Sequence, residues 1–231
     1  MNDYFTYNYK YFLIGALALV LLFRMIRSAR YKNVNIWREL FILALVLYVA
    51  FLSIQTFEGF YIRVNGFHPR YNLEPFKSIK TMFTIGMKYN GPETMHLHIS
   101  TIYINLLGNV LIFAPIGFLS AFLFKEPKWY KSLLAGLSLS LTIEIVQLFL
   151  LTRSFDVDDL ILNGFGTIIG YLLFRLLALM PWLKRFATKT GCSDRPQGWQ
   201  WATVLILAIV GWALAIFLQQ YRVYLSTPIV G

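Results

Sequence analysis

Six runs of mostly apolar residues constrain the fold of this chain more than any other feature. A helix needs about 20 such residues to cross the hydrocarbon core of a membrane, and the runs are about that long. They occupy residues 9–26, 40–57, 101–124, 130–151, 159–180 and 199–220. The sequence therefore predicts an all-α fold, a polytopic transmembrane helical bundle of about six spans. We expect one membrane domain over 1–231, in which 199–220 is an additional C-terminal span.

Composition and charge support this prediction and give it a direction. Of 231 residues, 58% are hydrophobic and 14% are charged, whereas soluble domains carry about 25% charged residues. The net charge of +10 comes largely from three loops, at 24–38, 125–131 and 184–195. The positive-inside rule places these loops in the cytoplasm and both termini outside the cell. The charge is then a topology signal, and we expect no nucleic-acid partner.

The loop between the second and third spans contains a segment with helical periodicity. Pro75 suits the first turn of a helix, and apolar residues then recur at helical spacing. They are Phe76, Ile79, Met82, Phe83 and Met87, with polar residues on the opposite face. This pattern predicts a short amphipathic helix that lies on the outer membrane surface.

Three spans carry pairs of polar side chains, which are costly inside a membrane: a charge at the centre of a span costs about 2.5–3.5 kcal/mol. Each pair shares one helix face, because its members are three or four residues apart. The pairs are Asn105 with Asn109, Glu144 with Gln147, and Asp159 with Asn163. We expect the asparagines in the first turns of their span, and Glu144 two to three turns before the outer end of its span. The three pairs then line one cavity in the outer leaflet.

The short connection after the fourth span adds further polar residues at this depth. Arg153 and Glu144 are predicted to belong to one network, because a lone buried carboxylate needs a donor or a proton. Asp156, Asp158 and Asp159 could hold a divalent cation. They lack the spacing and glycine of an EF-hand loop, so a solvated helix cap is the favoured interpretation and no metal is predicted.

Two structural interpretations stand beside these. Amide side chains in membrane helices often only bridge neighbouring helices, so Asn105 and Gln147 need not contact a ligand. Gly166 and Gly170 have the spacing of a close helix contact. Cys192 is the one cysteine, which excludes an intramolecular disulfide, and no cofactor motif occurs.

Three stretches of this sequence resemble the signature of the VanZ-like family of bacterial membrane proteins, over about residues 70–175. They are NLEPF from Asn72, NLLGN from Asn105 with the Phe113, Pro115 and Gly117 that follow, and the series Glu144, Gln147, Arg153, Asp156, Asp158, Asp159, Asn163 and Gly166. The resemblance implies a multi-pass protein of the bacterial plasma membrane. It also implies a link to teicoplanin, since the family's namesake confers low-level resistance to this lipid-tailed glycopeptide.

The leading hypothesis is an outward-facing site that binds a lipid-linked envelope molecule or a lipoglycopeptide and contributes to glycopeptide resistance or envelope homeostasis. Membrane lipids are the other expected partners. One alternative is a membrane enzyme that acts on a lipid-linked substrate, with Glu144 or an aspartate as acid or base, although no nucleophile motif supports catalysis. A transporter is a second alternative, disfavoured because the inner halves of spans three to five are nearly all apolar. A purely structural partner protein is a further one.

Overall fold

The structure is a computed structural model that describes residues 36–56, 70–88, 92–124, 126–148 and 154–181. Within these residues the chain forms five helices and two short strands. They are α1 (Ile36–Thr56), β1 (Tyr71–Asn72), α2 (Lys77–Lys88), α3 (Pro92–Ala121), α4 (Trp129–Gln147), β2 (Phe155–Asp156) and α5 (Val157–Leu177). The predicted spans 9–26 and 199–220 lie outside the described residues.

Two of these helices are long and apolar enough to cross a membrane, namely the segment Ile102–Ala121 of α3 and all of α5. A shorter apolar stretch, Leu40–Leu52, lies within α1. The predicted helical character of the membrane region is thus confirmed for the part of the chain that the structure describes. The number of six spans stays a prediction.

The helices differ from the predicted segments at three boundaries, although the apolar part of α3, Ile102–Ala121, agrees closely with the predicted span 101–124. Helix α3 begins at Pro92, nine residues before the predicted span, because proline fits the first helical position, where its missing N–H is not needed. Helix α4 ends at Gln147 with Leu148 as its C-cap, four residues before the predicted end of its span. Helix α2 begins at Lys77, because Phe76 before it has a positive φ of 64°, which a right-handed helix excludes.

Helices α3 and α5 pack with their backbones in direct contact. A Cβ atom added to Gly166 would lie 2.1 Å from the carbonyl oxygen of Val110, and one added to Gly170 would lie 1.8 Å from that of Ala114. The two glycines therefore allow an approach that no side chain permits. This confirms the close helix contact that their spacing predicts, and it shows that α3 and α5 run in the same direction.

Helix α4 runs antiparallel to α5, and α1 covers the α3–α4 pair. The main hydrophobic core lies between α1, α3 and α4, and its buried members are Ile42, Leu45, Val49, Leu52, Phe113, Ile116, Leu123, Ala135, Leu139 and Ile143. The hydroxyl of Tyr48 donates a hydrogen bond of 2.7 Å to the carbonyl oxygen of Ile112. This carbonyl is three residues before Pro115, within the part of α3 where the proline removes a helical N–H donor.

The two ends of the bundle differ in chemistry. The basic end, where α4 begins and α5 ends, carries Lys128, Lys131 and Arg175. Aromatic rings pack there, with Phe122 against Phe41 and Phe174. The polar end, where α4 ends and α5 begins, carries Glu144 and the aspartates of the 156–159 segment. Residues 70–88 lie against this polar end.

Candidate functional site

A pair of two-residue strands joins the loop before α2 to the start of α5. Strands β1 and β2 pair in parallel, with Tyr71 opposite Phe155 and Asn72 opposite Asp156. The N–H of Phe155 also donates to the carbonyl oxygen of Arg70 at 3.0 Å. These strands depart from the predicted all-α fold. They bring segments more than 80 residues apart in sequence to one place, and no local pattern in either segment predicts that pairing.

Asp158 is the buried centre of this contact. Asp158 is only 1% exposed. Its carboxylate accepts hydrogen bonds from three backbone N–H groups at the start of α2. The donors are Phe76, Ser78 at 2.9 Å and Ile79 at 3.3 Å. A carboxylate is favourable at a helix N-terminus, where free N–H groups and the helix dipole are both positive. Asp158 thus caps α2 from another helix.

Asp156 connects the same elements from the strand side. Its carboxylate accepts hydrogen bonds from the Asn72 amide at 3.1 Å and from the Ser78 hydroxyl, and it caps α5 by accepting from the N–H of Asp158 at 3.0 Å. The Asn72 amide also donates to the Ser78 hydroxyl at 3.0 Å. We name the strand pair together with Asn72, Ser78, Asp156 and Asp158 the latch.

The predicted helix cap is present at Asp156, although its carboxylate is hydrogen-bonded within the latch, and it is absent at Asp158. Asp156 does cap its own helix. Asp158 is buried and caps α2 instead, because the N-terminus of α2 offers several N–H donors at once. Ser78, which sequence reasoning missed, is held between Asn72 and Asp156. A serine in the first turn of a predicted amphipathic helix gives no signal of such a role.

Glu144 anchors the latch to α4. Glu144 is 1% exposed, and its Oε2 accepts a hydrogen bond of 2.8 Å from the backbone N–H of Asp156. Glu144 lies in the last turn of α4, closer to the end of the helix than the two to three turns predicted; its depth in the membrane stays a prediction. Gln147 is also buried on this helix face. Arg153 lies outside the described residues, so its network with Glu144 stays a prediction.

Asn109 of α3 contacts the start of α5, next to the latch. The Asn109 amide donates to the carboxylate of Asp159 at 2.7 Å, which links α3 to the first turn of α5. Asn105 is exposed. Both lie more than three turns after the start of α3, but they fall within the first two turns of its apolar part, Ile102–Ala121, as predicted for the span.

Asn163 lies deeper, between α4 and α5, and belongs to a different environment. Its amide donates to the hydroxyl of Ser140 at 2.8 Å, and it lies one helical turn below Asp159. The structure thus divides the predicted set into three groups, which are the latch with Glu144, the Asn109–Asp159 pair, and Asn163 in the helix interface. In the described ranges no group of three or more His, Cys, Asp or Glu side chains is arranged to hold a metal ion.

The outer face of the latch combines cations with exposed apolar side chains. Arg70, Lys77 and Lys80 are exposed, and Lys77 forms an ion pair of 2.7 Å with Glu74. Beside them the side chains of three apolar residues are more than half exposed, namely Tyr71, Leu73 and Phe76. The segment 70–80 therefore exposes three cations, one carboxylate and three apolar side chains, while the carboxylates of Asp156 and Asp158 are hydrogen-bonded within the latch.

The family model for VanZ/LLP1 matches residues 39–178. The chain belongs to the VanZ/LLP1 family. The matched region begins within α1 and holds α2 to α5 and the whole latch, which confirms the resemblance drawn from the sequence. This VanZ/LLP1 protein is also 37% identical over 71 residues to Protein VanZ of Enterococcus faecium, an alignment covering 31% of this chain and 44% of that protein. It thus spans less than half of that curated relative. No solved structure matches the chain.

Proposed function

We propose that this protein lies in the bacterial plasma membrane with its polar end outward and binds an amphiphilic envelope molecule there. The ligand class is a lipid-linked cell-wall precursor or a lipoglycopeptide of the teicoplanin type. Binding would contribute to glycopeptide resistance or to envelope homeostasis. The observation that carries the proposal is the outer face of the latch, where exposed cations adjoin exposed apolar side chains.

This surface has the chemistry of an amphiphile's binding site. Arg70, Lys77 and Lys80 supply donors for an anionic headgroup, and guanidinium and ammonium groups are the side chains that bind phosphate most strongly. Tyr71, Leu73 and Phe76 supply apolar contact for an acyl or prenyl chain. Exposed apolar side chains that cluster beside charged ones are typical of membrane or lipid contacts.

The latch carboxylates position this surface and do not bind the ligand themselves. Asp156 and Asp158 accept hydrogen bonds from α2 and Asn72, which fixes the start of α2 against α5. An anionic headgroup next to bare carboxylates would be repelled, but these two accept several hydrogen bonds behind the cations. Asn105, which is exposed, and Arg153 remain candidates for further headgroup contacts.

The orientation follows from the basic end of the bundle. The short loop at 125–131 lies there, one of the three densely basic loops of the sequence, and the positive-inside rule assigns such loops to the cytoplasm. The cations of residues 70–88 are instead spread along a longer loop. The polar end then faces the outer leaflet, with amphipathic α2 on the membrane surface. Lipid-linked precursors and glycopeptides are exposed on that side.

The test is binding of fluorescently labelled teicoplanin to the full-length protein in vesicles. The triple variant Arg70→Gln, Lys77→Gln and Lys80→Gln should bind markedly more weakly, because it removes the cations of the latch surface. The matched control is Lys128→Gln with Lys131→Gln at the basic end, which should bind like the wild type. Equal binding by the latch variant and the wild type would overturn the proposal.

Orientation is tested separately by thiol labelling in cells. In a Cys192→Ser background, cysteines placed at Lys77 and at Glu126 sit at opposite ends of the bundle, and both positions are exposed. An impermeant reagent should label the first and not the second. The reverse pattern would place the latch in the cytoplasm and would contradict the outward site.

A further inference from the structure

One exposed aromatic residue on the outer face of the latch has a backbone conformation that its residue type disfavours. Phe76 has a positive φ of 64°, and among the non-glycine residues that the structure describes it is the one with a φ of this sign. A left-handed backbone brings the Cβ atom close to the following carbonyl oxygen, which is unfavourable for most residues other than glycine. Outliers of this kind in bulky residues cluster at ligand sites.

The turn that contains Phe76 is one in which glycine is the usual residue. The N–H of Lys77 donates to the carbonyl oxygen of Glu74 at 3.3 Å, which closes a turn with Pro75 second and Phe76 third. Proline at the second position and a positive φ at the third are the pattern of a type II turn, whose third position favours glycine or asparagine. A turn that served only to begin α2 would therefore favour one of these two residues, and the phenyl ring needs another explanation.

Hydrogen bonds on both sides hold Phe76 in this conformation. Its N–H donates to the Asp158 carboxylate, and its carbonyl oxygen accepts from the N–H of Lys80 at 2.9 Å. Because both backbone groups are fixed, φ cannot become negative without breaking contacts of the latch. Strain of this kind persists only where the surrounding structure imposes it. The latch therefore fixes the direction in which the ring leaves the backbone.

The ring itself lies at the surface, where it contributes little to the stability of the fold. Phe76 is 59% exposed, so more than half of its apolar surface gains nothing from burial. The exposed cations Lys77 and Lys80 lie on the same segment. A ring on a fixed backbone beside ammonium groups suits a molecule in which a polar or anionic head carries a hydrocarbon chain. Fixing a contact residue before the ligand arrives lowers the entropy that binding costs.

We propose that Phe76 is the residue that makes the site specific for ligands with a lipid tail. This inference rests on the proposed function and adds which apolar side chain recognises the hydrocarbon chain. Tyr71 and Leu73 are 67% and 62% exposed, but neither has a positive φ, so neither is held in place against its own preference. They extend the apolar contact that the ring of Phe76 begins. The cations bind the headgroup, and no covalent bond is made or broken.

The test compares two probes, labelled teicoplanin and the same molecule from which the acyl chain has been removed. Both are titrated against the full-length protein in vesicles, with protein-free vesicles as the background. The wild type should bind the acylated probe more tightly. Asparagine tolerates a positive φ but lacks the ring, so Phe76→Asn should lower the ratio of the two affinities about tenfold. This is the scale expected when the exposed part of one phenyl ring is buried.

Two further variants separate the position of the ring from its chemistry. Phe83→Asn is the matched control, because it removes a ring that is 42% exposed from α2, seven residues further along. It should leave the ratio at the wild-type value. Phe76→Leu keeps an apolar side chain and should keep most of the ratio. Equal loss of both probes in Phe76→Asn would show that the ring only holds α2 against the membrane, and would overturn the proposal.

Hydrogen–deuterium exchange at Ser78 and Ile79 separates recognition from folding. Phe76→Asn should exchange there no faster than the wild type, because asparagine suits the positive φ and the Asp158 cap is retained. Markedly faster exchange would make the ring a structural part of the latch and would overturn the proposal. If the triple cation variant loses binding while Phe76→Asn keeps the wild-type ratio, this inference fails and the proposed function does not. Binding of neither probe by the wild type would overturn both.

Discussion

The α3–α5 contact and the latch both join distant parts of the chain, but they do so by opposite means. Where α3 meets α5, the helices can touch because Gly166 and Gly170 have no side chain and lie against carbonyl groups of α3. In the latch, the joining feature is a specific charged oxygen, since the Asp158 carboxylate accepts from the N–H groups that begin α2. The first contact depends on shape, and the second depends on chemistry.

This difference predicts different responses to mutation. A packed backbone contact has no room for any added atom, whatever its polarity. A hydrogen-bonded latch tolerates changes of shape better than the loss of its acceptor charge, because hydrogen bonds to charged groups are the stronger kind. Added side-chain volume should therefore be the change that most destabilises the helix bundle. Loss of a carboxylate charge should be the change that most destabilises the latch.

The largest effect is expected for Gly170→Leu. Even the Cβ atom would lie 1.8 Å from the backbone oxygen of Ala114, so α3 and α5 must separate. We expect the free energy of unfolding in mixed micelles to fall by at least about 3 kcal/mol, the upper end of the range for overpacked cores.

Gly108→Leu is the matched control, because it places the same side chain in α3 where nothing lies within 4 Å of an added Cβ. It should change the free energy of unfolding by no more than about 1 kcal/mol, the scale of helix propensity. If both leucine variants unfolded equally easily, the α3–α5 contact would not depend on the glycine.

A smaller and local effect is expected for Asp158→Asn. The variant keeps the shape of the side chain but loses the negative charge that the N-terminus of α2 binds. Hydrogen bonds to charged groups contribute about 1.5–3 kcal/mol. The amide hydrogens of Phe76, Ser78 and Ile79 should then exchange about tenfold to a hundredfold faster, measured by hydrogen–deuterium exchange.

Asp159→Asn supplies the control for Asp158→Asn. It removes the same charge from the next residue of α5, whose carboxylate accepts from Asn109 of α3. Exchange at the start of α2 should stay at the wild-type rate. Equal acceleration in both variants would mean that α2 responds to the total charge of the polar end, contrary to a direct cap by Asp158.

The same contrast explains which parts of the structure the sequence predicts. The spacing of Gly166 and Gly170 predicts their contact with another helix, because a helix places residues four apart on one face whatever surrounds it. The proximity of Glu144 to the 156–159 segment also follows, since the connection between α4 and α5 is short. Both predictions need only local geometry.

The partner of Asp158 could not be found in this way. A carboxylate in the first turn of a helix can cap that helix or any other N–H group that the fold brings near. The N-terminus of α2 lies about 80 residues away in sequence, and its position next to Asp158 depends on the pairing of β1 with β2. The burial of Ser132, Ser140 and Thr167 on α4 and α5 was missed for a different reason, because serine and threonine in an apolar run add little to a hydropathy pattern.

The smallest effect is expected where the latch meets solvent. The ion pair between Lys77 and Glu74 is 2.7 Å long, but the two side chains are 51% and 73% exposed, and such pairs contribute about 0.2–1 kcal/mol at most. Glu74→Gln should therefore leave exchange at Phe76, Ser78 and Ile79 unchanged, in low salt as in 1 M salt, where exposed charges are screened within about 3 Å. The backbone N–H of residue 74 still donates to the Asn72 side chain in this variant. An acceleration as large as that of Asp158→Asn would show that the surface charges hold α2 in place, and the buried carboxylate would then lose its assigned role.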